Sequence, residues 1–298
     1  MILPDIAELV ALRGAAQGLT LHAHRPALAR LAGAHHSAQR GRGLEFEEVR
    51  PYAAGDDARS IDWRVTARRG RPHTKLFREE RERPVWLLAD LHPGLYFGSR
   101  RQLKSALLLR AAALLGWAAA LGGDRLGAYL AGSGGTRILP PRGRQAGVLP
   151  ALEALVEMQP RSPGAPASAL GEAAAGLRPL LRAGSLVLVL SDFSRFDDQT
   201  EAALAGMRIH ADCRLLWPSD PLERCGLPDG TFRLGVPGRL WWLDGGDSRA
   251  RWQAAWAARE RRVAEAARGL RLPLIRLDTA EDVGTVLPGL LREPSWAA

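Results

Sequence analysis

The chain of 298 residues is 46% hydrophobic and 24% charged, a globular balance that excludes disorder as its main state and leaves room for one large core. A formal charge of +9 and a pI near 10.7 admit nucleic acid or an anionic surface as partner, although only Lys75 and Lys104 of 41 basic residues are lysine, the arginine bias expected of a GC-rich coding sequence. Two cysteines, Cys213 and Cys225, with no CxxC spacing, exclude a disulfide framework or a zinc cage and fit a reducing compartment.

The opening run MILPDIAELVALRGAA is acidic early and lacks a basic stretch followed by a continuous apolar one, so it does not read as a signal peptide; a cytoplasmic location is expected. Ile6, Leu9, Val10 and Leu12, then Leu28 and Leu31, keep helical spacing up to Gly33 and predict one or two helices. Residues 34–84 are polar, rich in Arg, Asp, Glu and Gly, and carry the turn signal AAGDD; they read as extended strands and turns around charged clusters.

From Val85 the pattern changes. VWLLAD is a short apolar run ending in an acid, as buried parallel strands tend to be. A helix is expected from about Arg101 to Leu121, then the glycine-punctuated strand GDRLGAYLAG, a Pro-rich turn, and helices over about Gln145–Met158 and Ala167–Arg182. SLVLVLSDF is the strongest strand signal. It is followed by a helix at Glu201–His210, the strand CRLLW, a β-hairpin within LPDGTFRLGVPGRLWWLDGG, a long helix at Ser248–Leu270, the strand PLIRL and a last helix to about Leu291. Strands alternating with helices argue for an α/β, doubly wound, mostly parallel sheet over residues 85–298, with residues 1–84 as an N-terminal extension. The longest apolar stretch, Ser105 to Leu121, is broken by Arg110, so no stable membrane insertion is expected.

In open α/β sheets ligands bind outside the carboxyl ends of the strands. Asp90 and Asp192 both stand there, and with strand 85–90 beside strand 185–190 their loops open on one rim. This arrangement resembles the von Willebrand A family, whose first strand ends in D-x-S-x-S and whose magnesium is completed by a threonine and a second aspartate. The matching run here is Asp90-Leu91-His92-Pro93-Gly94, so His92 and Gly94 replace both hydroxyls, and the middle loop SPGAPASAL offers Ser168 and no threonine. The resemblance implies a degenerate metal site of Asp90, Asp192 and Ser168. No cofactor is expected, with magnesium as the alternative, because imidazole is a poor substitute for a hard oxygen ligand. The structural reading has both acids capping helices or satisfying loop amides.

A second resemblance rests on Gly43, Glu45, Phe46, Arg50, Tyr52, Gly55, Asp56, Arg59, Ile61, Asp62, Trp63, Ala67 and Arg68. These match every fixed letter of G-x-E-F-x-x-x-R-x-Y-x-x-G-D-x-x-R-x-I-D-W-x-x-x-A-R, the hallmark of the bacterial family catalogued as domain of unknown function fifty-eight. GDRLG, SDF and DPLE agree further on. The resemblance implies a non-catalytic protein-binding adaptor working with a MoxR-type AAA+ ATPase, and with other von Willebrand A proteins, in assembling or activating other complexes. The expected docking surface is His92 with Arg50, Tyr52, Asp56, Asp57, Arg59, Asp62, Trp63 and Arg68. The same Arg and acid cluster also reads as structural glue, with Trp63, Phe46 and Tyr52 as its anchors.

Two other classes remain open. A metal-dependent hydrolase would use Asp90, Asp192 and His92 and needs a third acid in a cleft. A nucleic-acid binder needs uncompensated charge, yet residues 34–83 hold twelve basic and nine acidic side chains, so no nucleic-acid partner is expected. His35, His36 and His73 on polar stretches read as solvated more readily than as a metal cluster. GxxxxGK[ST], HExxH and GxSxG are absent, and GSGGT at 132–136 lacks the helix that a phosphate cradle requires.

Overall fold

Runs such as VWLLAD and SLVLVL have apolar side chains at odd and even positions alike, so a strand made from them must be covered on both faces. The computed structural model describes residues 3–21, 44–53, 61–79, 82–165, 167–236 and 238–291. In chain order the elements are α1 (Ile6–Ala11), β1 (Leu44–Pro51), α2 (Trp63–Arg69), β2 (His73–Glu79), β3 (Pro84–Leu91), α3 (Lys104–Leu121), β4 (Arg125–Gly132), β5 (Gly135–Gly143), α4 (Gln145–Met158) and α5 (Leu170–Leu177). They continue as β6 (Ser185–Leu190), α6 (Asp198–Arg208), β7 (Ala211–Ser219), α7 (Pro221–Cys225), β8 (Thr231–Val236), β9 (Arg239–Asp244), α8 (Gly245–Gly269), β10 (Leu274–Asp278) and α9 (Val283–Leu290).

The sheet order is β10-β7-β6-β3-β4-β5, with only β5 antiparallel. This is the doubly wound α/β arrangement expected. Strand β3 alternates cleanly: Val85, Leu87, Ala89 and Leu91 join a core with α1, α3, α4 and α9. Trp86 and Leu88 join the opposite one with α5, α6 and α8. The chain builds outward from β3 to β4 and β5, then crosses to β6 on the other flank. Strands β3 and β6 pair in parallel from Val85↔Leu186 to Ala89↔Leu190, as the shared rim requires. The order reverses between them, which is where doubly wound sheets form their crevice.

Two elements differ from expectation. The segment read as a Pro-rich turn forms the edge strand β5, which tolerates Pro140 and Pro141 because an edge strand leaves one row of amides unpaired. The helix expected over 167–182 is shorter, α5 followed by a 3-10 turn at Arg178–Leu180, because Ser168 and the Ala169 amide are tied to Asp90. Helix α3 is long and apolar enough by composition to cross a membrane, but most of its apolar side chains lie inside the fold.

Contacts divide the chain into two units, Met1–Ala34 with Arg83–Ala298, and His35–Glu82. This differs from the expected division at residue 84 by assigning the N-terminal helix to the sheet. The Trp117 indole donates to the Leu9 carbonyl, Gln159 donates to the Pro4 carbonyl, Arg110 pairs with Glu8, and Arg83 donates to the Leu21 carbonyl. In the second unit β1 and β2 pair antiparallel from Leu44↔Glu79 to Pro51↔His73, with an irregularity at Phe46/Glu48, and α2 lies between them in sequence.

Candidate functional site

The end of β3 and the loops after β3 and β6 place Asp90, His92, Ser191 and Asp192 at the switch point, all buried. Asp90 is held by three donors. Its Oδ2 accepts from the Ser168 hydroxyl at 2.5 Å and the Ser191 hydroxyl at 2.9 Å, and its Oδ1 from the Ala169 amide at 3.1 Å. The predicted trio therefore splits: Asp90 and Ser168 meet, and Asp192 has donors of its own.

Asp192 Oδ1 accepts from the Ser194 amide at 2.9 Å and from His92 Nε2 at 3.1 Å. The Gly94 amide donates to His92 Nδ1 at 3.2 Å, so the ring proton is assigned to Nε2 and points at Asp192. Asp192 Oδ2 accepts from Lys104 Nζ at 2.7 Å, and the same ammonium donates to Glu223 Oε1 at 2.7 Å. Lys104 is the first residue of α3 and only 2% exposed.

The chain of bonds continues along the rim. Glu223 Oε2 accepts from the Asp220 amide in a capping box that starts α7. Asp220 in turn accepts from the Ser99 hydroxyl and amide, the Leu222 amide and the Thr279 hydroxyl. One polar network thus ties together the ends of β3, β6, β7 and β10.

Burial alone would raise the Asp192 pKa, but the attraction of Lys104 and the His92 hydrogen bond outweigh it and hold the carboxyl well below the usual carboxylate range. For Lys104, burial works downward, and the two carboxylates Asp192 and Glu223 overcome it, raising the ammonium above 10.5. Asp220 is also lowered: burial opposes ionisation, and the Ser99 and Thr279 hydrogen bonds prevail. Next to Asp192, Phe193 has φ 50, a left-handed backbone that a bulky side chain rarely adopts, held in place by buried edge contacts with Trp217 and Phe196.

These residues do not fit magnesium. Octahedral coordination needs several free oxygens, whereas the hydroxyls here donate into Asp90 and an ammonium already stands against Asp192. Among the described residues there is no cluster of three or more His, Cys, Asp or Glu placed to hold a metal.

Burial corrects the expected role of His92 as a docking residue: its ring is 1% exposed and spent on Asp192 and Gly94. In the other unit, Asp62 caps α2 by accepting from the Arg64 and Val65 amides. Arg50 donates to the Pro51 carbonyl, and the Tyr52 amide donates to the Pro72 carbonyl. Trp63 is 70% exposed, and Tyr52 and Arg68 are exposed too. Asp56, Asp57, Arg59, His35 and His36 lie outside the described residues, as does the Phe46 side chain. His73 is buried and shares Nδ1 with the Arg71 carbonyl at 2.7 Å, a local structural bond.

Sequence reasoning missed Lys104, Glu223, Asp220 and Ser191 as parts of the site. SDF and DPLE mark Ser191, Asp220 and Glu223 only as family matches, and for position 104 the signal is lysine itself, one of two in a chain whose other basic residues are arginine. A compact ammonium with three rotatable donors fits between two carboxylates where a planar fork does not.

A family model described as "Protein of unknown function DUF58" matches residues 48–261. Uncharacterized protein Rv1480 of Mycobacterium tuberculosis and Uncharacterized protein Mb1516 of Mycobacterium bovis are each 36% identical over 158 residues, covering 51% of this chain and 48% of theirs. The chain spans about half the length of the curated relatives it matches. Among solved structures, the conserved hypothetical protein BatB from Bacteroides thetaiotaomicron aligns with a TM-score of 0.46 and 13% identity, over 72% of this chain and 98% of that one.

Proposed function

The chain belongs to the DUF58 family, and from that premise we propose that it is a non-catalytic protein-binding adaptor, working with a MoxR-type AAA+ ATPase in the assembly or activation of other protein complexes. The observation that carries the non-catalytic part is the fate of the rim's ionisable groups. Asp90, His92, Lys104 and Asp192 are each no more than 2% exposed and spend their polar atoms on one another or on neighbouring loops. A hydrolase needs an acid or base within hydrogen-bond reach of substrate; a network closed in this way instead fixes loop geometry and holds the surface around it rigid.

Binding capacity lies elsewhere on the surface. The β8–β9 hairpin exposes Leu240 and Trp242 at 65% and 71%, and tryptophan and arginine are the residues that most often carry binding energy at protein interfaces. The ATPase supplies work from nucleotide hydrolysis, and this chain supplies the contact to the complex being acted on. Co-purification with a MoxR-type ATPase from the same cell, with ATP present, tests this. Recovery of that ATPase is expected, and its absence under ATP-bound conditions overturns the adaptor reading.

A further inference from the structure

One face of the long helix α8 carries Arg251, Trp252, Trp256 and Arg259, because positions three and four apart lie above one another on a helix. With Leu243 of β9 and Glu223 of α7 they line a cavity of about 450 Å3. Its charge is one-sided. Glu223 is turned inward to Lys104 and the Asp220 amide. Arg224, Arg249, Arg262 and Arg276, on or near the same helix, each pair with an acid, whereas Arg251 and Arg259 have no acidic partner among the described residues.

The aromatic part is held in place. The Trp252 indole donates to the Glu223 carbonyl at 2.9 Å. The Arg259 guanidinium stacks 4.5 Å from the Trp256 ring centre and 5.9 Å from that of Trp217, and its buried Nε has no acceptor among the described residues. The buried Nε is closed to a ligand, but an arginine fixed against aromatic rings and without an acidic partner is well placed to receive a carboxylate at its terminal nitrogens.

We infer that this groove takes a short acidic segment of a partner protein, with a bulky apolar side chain set between two carboxylates. The inference rests on the binding reading above and adds the chemistry of the segment bound. Arg251 and Arg259 are eight residues apart, roughly 12 Å along a helix rising about 1.5 Å per residue. An extended peptide covers that distance in about four residues at about 3.3 Å each, which gives the pattern acid, any, apolar, any, acid. The apolar side chain rests on Trp252 and Leu243. A phosphate backbone suits the groove less well, because Asp229, Asp244 and Asp247 on the hairpin and at the helix start oppose a continuous anionic track.

Titrating the purified full chain with fluorescein-labelled, N-acetylated Asp-Ser-Phe-Ser-Asp, read by fluorescence anisotropy, tests this. Saturable binding is expected below about 1 mM, a range open to a weak peptide site. It should weaken at least tenfold in Arg251→Glu, an exposed position whose reversal leaves the fold intact, and at least tenfold when both peptide aspartates become asparagine. No saturation by about 1 mM, or binding indifferent to Arg251→Glu, overturns the inference. So does tighter binding of oligothymidylate that is lost in the same variant, which would make the groove a nucleic-acid site. Because no ATPase is present in the titration, peptide binding without ATPase recovery removes the adaptor reading alone. ATPase recovery equal for wild type and Arg251→Glu, with no peptide binding, removes the groove alone.

Discussion

Lys104 joins two carboxylates that meet no other lysine or arginine among the described residues, Asp192 through Oδ2 and Glu223 through Oε1. Removing one partner of a buried pair leaves the other charge stranded, which costs about 3–5 kcal/mol. Lys104→Met should therefore lose about that much stability, on the order of 10 °C in Tm for a chain of this size. Lys104→Met with Asp192→Asn should lose less than the two single changes added, the sign of direct coupling; chemical denaturation of the four proteins measures it. Calorimetry with magnesium on the wild type should give no saturable heat, since the ammonium holds the position a cation would need. The pH profile follows from the same pair. Asp192 is lowered in the folded state, so its contribution is present above the ordinary carboxylate value of 3.8 and drains away as pH falls below it. Lys104 is raised, so its contribution is complete below 10.5 and is lost as pH climbs past that point. Stability measured by urea unfolding should be level between those limits with respect to this pair, and Asp192→Asn should flatten the acid limb. At this scale Asp90 and Asp192 are legible from one rule, acids at strand ends, and Ser168 from the resemblance, though as a metal ligand and not as a donor to Asp90. Lys104 and Glu223 come from distant parts of the chain, and only the tertiary fold shows that a lysine neutralises the second acid.

At the scale of elements, strands buried on both faces announce themselves, and β3, β4, β6 and β7 fall where their apolar runs do. The edge strand β5 was hidden because GTRILPPRG is largely exposed and has Pro140 and Pro141 in it, a composition that reads as a turn until a neighbouring strand is known. Its pairing with β4 depends on Gly127. The register slips between Leu126 and Ala128, and a Cβ on Gly127 would meet the Leu139 carbonyl at 2.8 Å and the Pro141 nitrogen at 2.9 Å. Both are backbone atoms that give way only if the strand moves. Gly127→Ala should cost about 1–3 kcal/mol, the usual toll of overpacking. Gly134→Ala, in the β4–β5 turn where a Cβ meets nothing within 4 Å, should leave the melting curve unchanged. Thermal unfolding followed by circular dichroism separates the two. DPLE carries the capping box that starts α7, a local motif that needs no tertiary information, yet the sequence reading takes it only as a family match and expects no helix there.

For the whole molecule, the segment carrying the family's hallmark residues and the sheet carrying the buried network belong to different units. The α/β unit has two apolar cores, one on each face of its sheet, and its N-terminal helix is stitched to α3 and the end of α4 by Trp117, Arg110 and Gln159. Its stability is therefore expected to come from within, since burial of apolar surface is the dominant favourable contribution to folding. Replacing residues 35–82 by a flexible linker of about ten residues, long enough for a Gly/Ser chain to span roughly 16–19 Å, should leave a protein that still melts in one cooperative transition. Its Tm should stay within a few degrees of the full chain's by differential scanning calorimetry. The Lys104→Met penalty should persist at the same size in the shortened protein, because every partner of Lys104 lies outside the excised segment. A broad, non-cooperative transition would instead mean that the sheet depends on the charged segment for its packing, and would favour the structural reading of that segment's arginines and acids over the docking one.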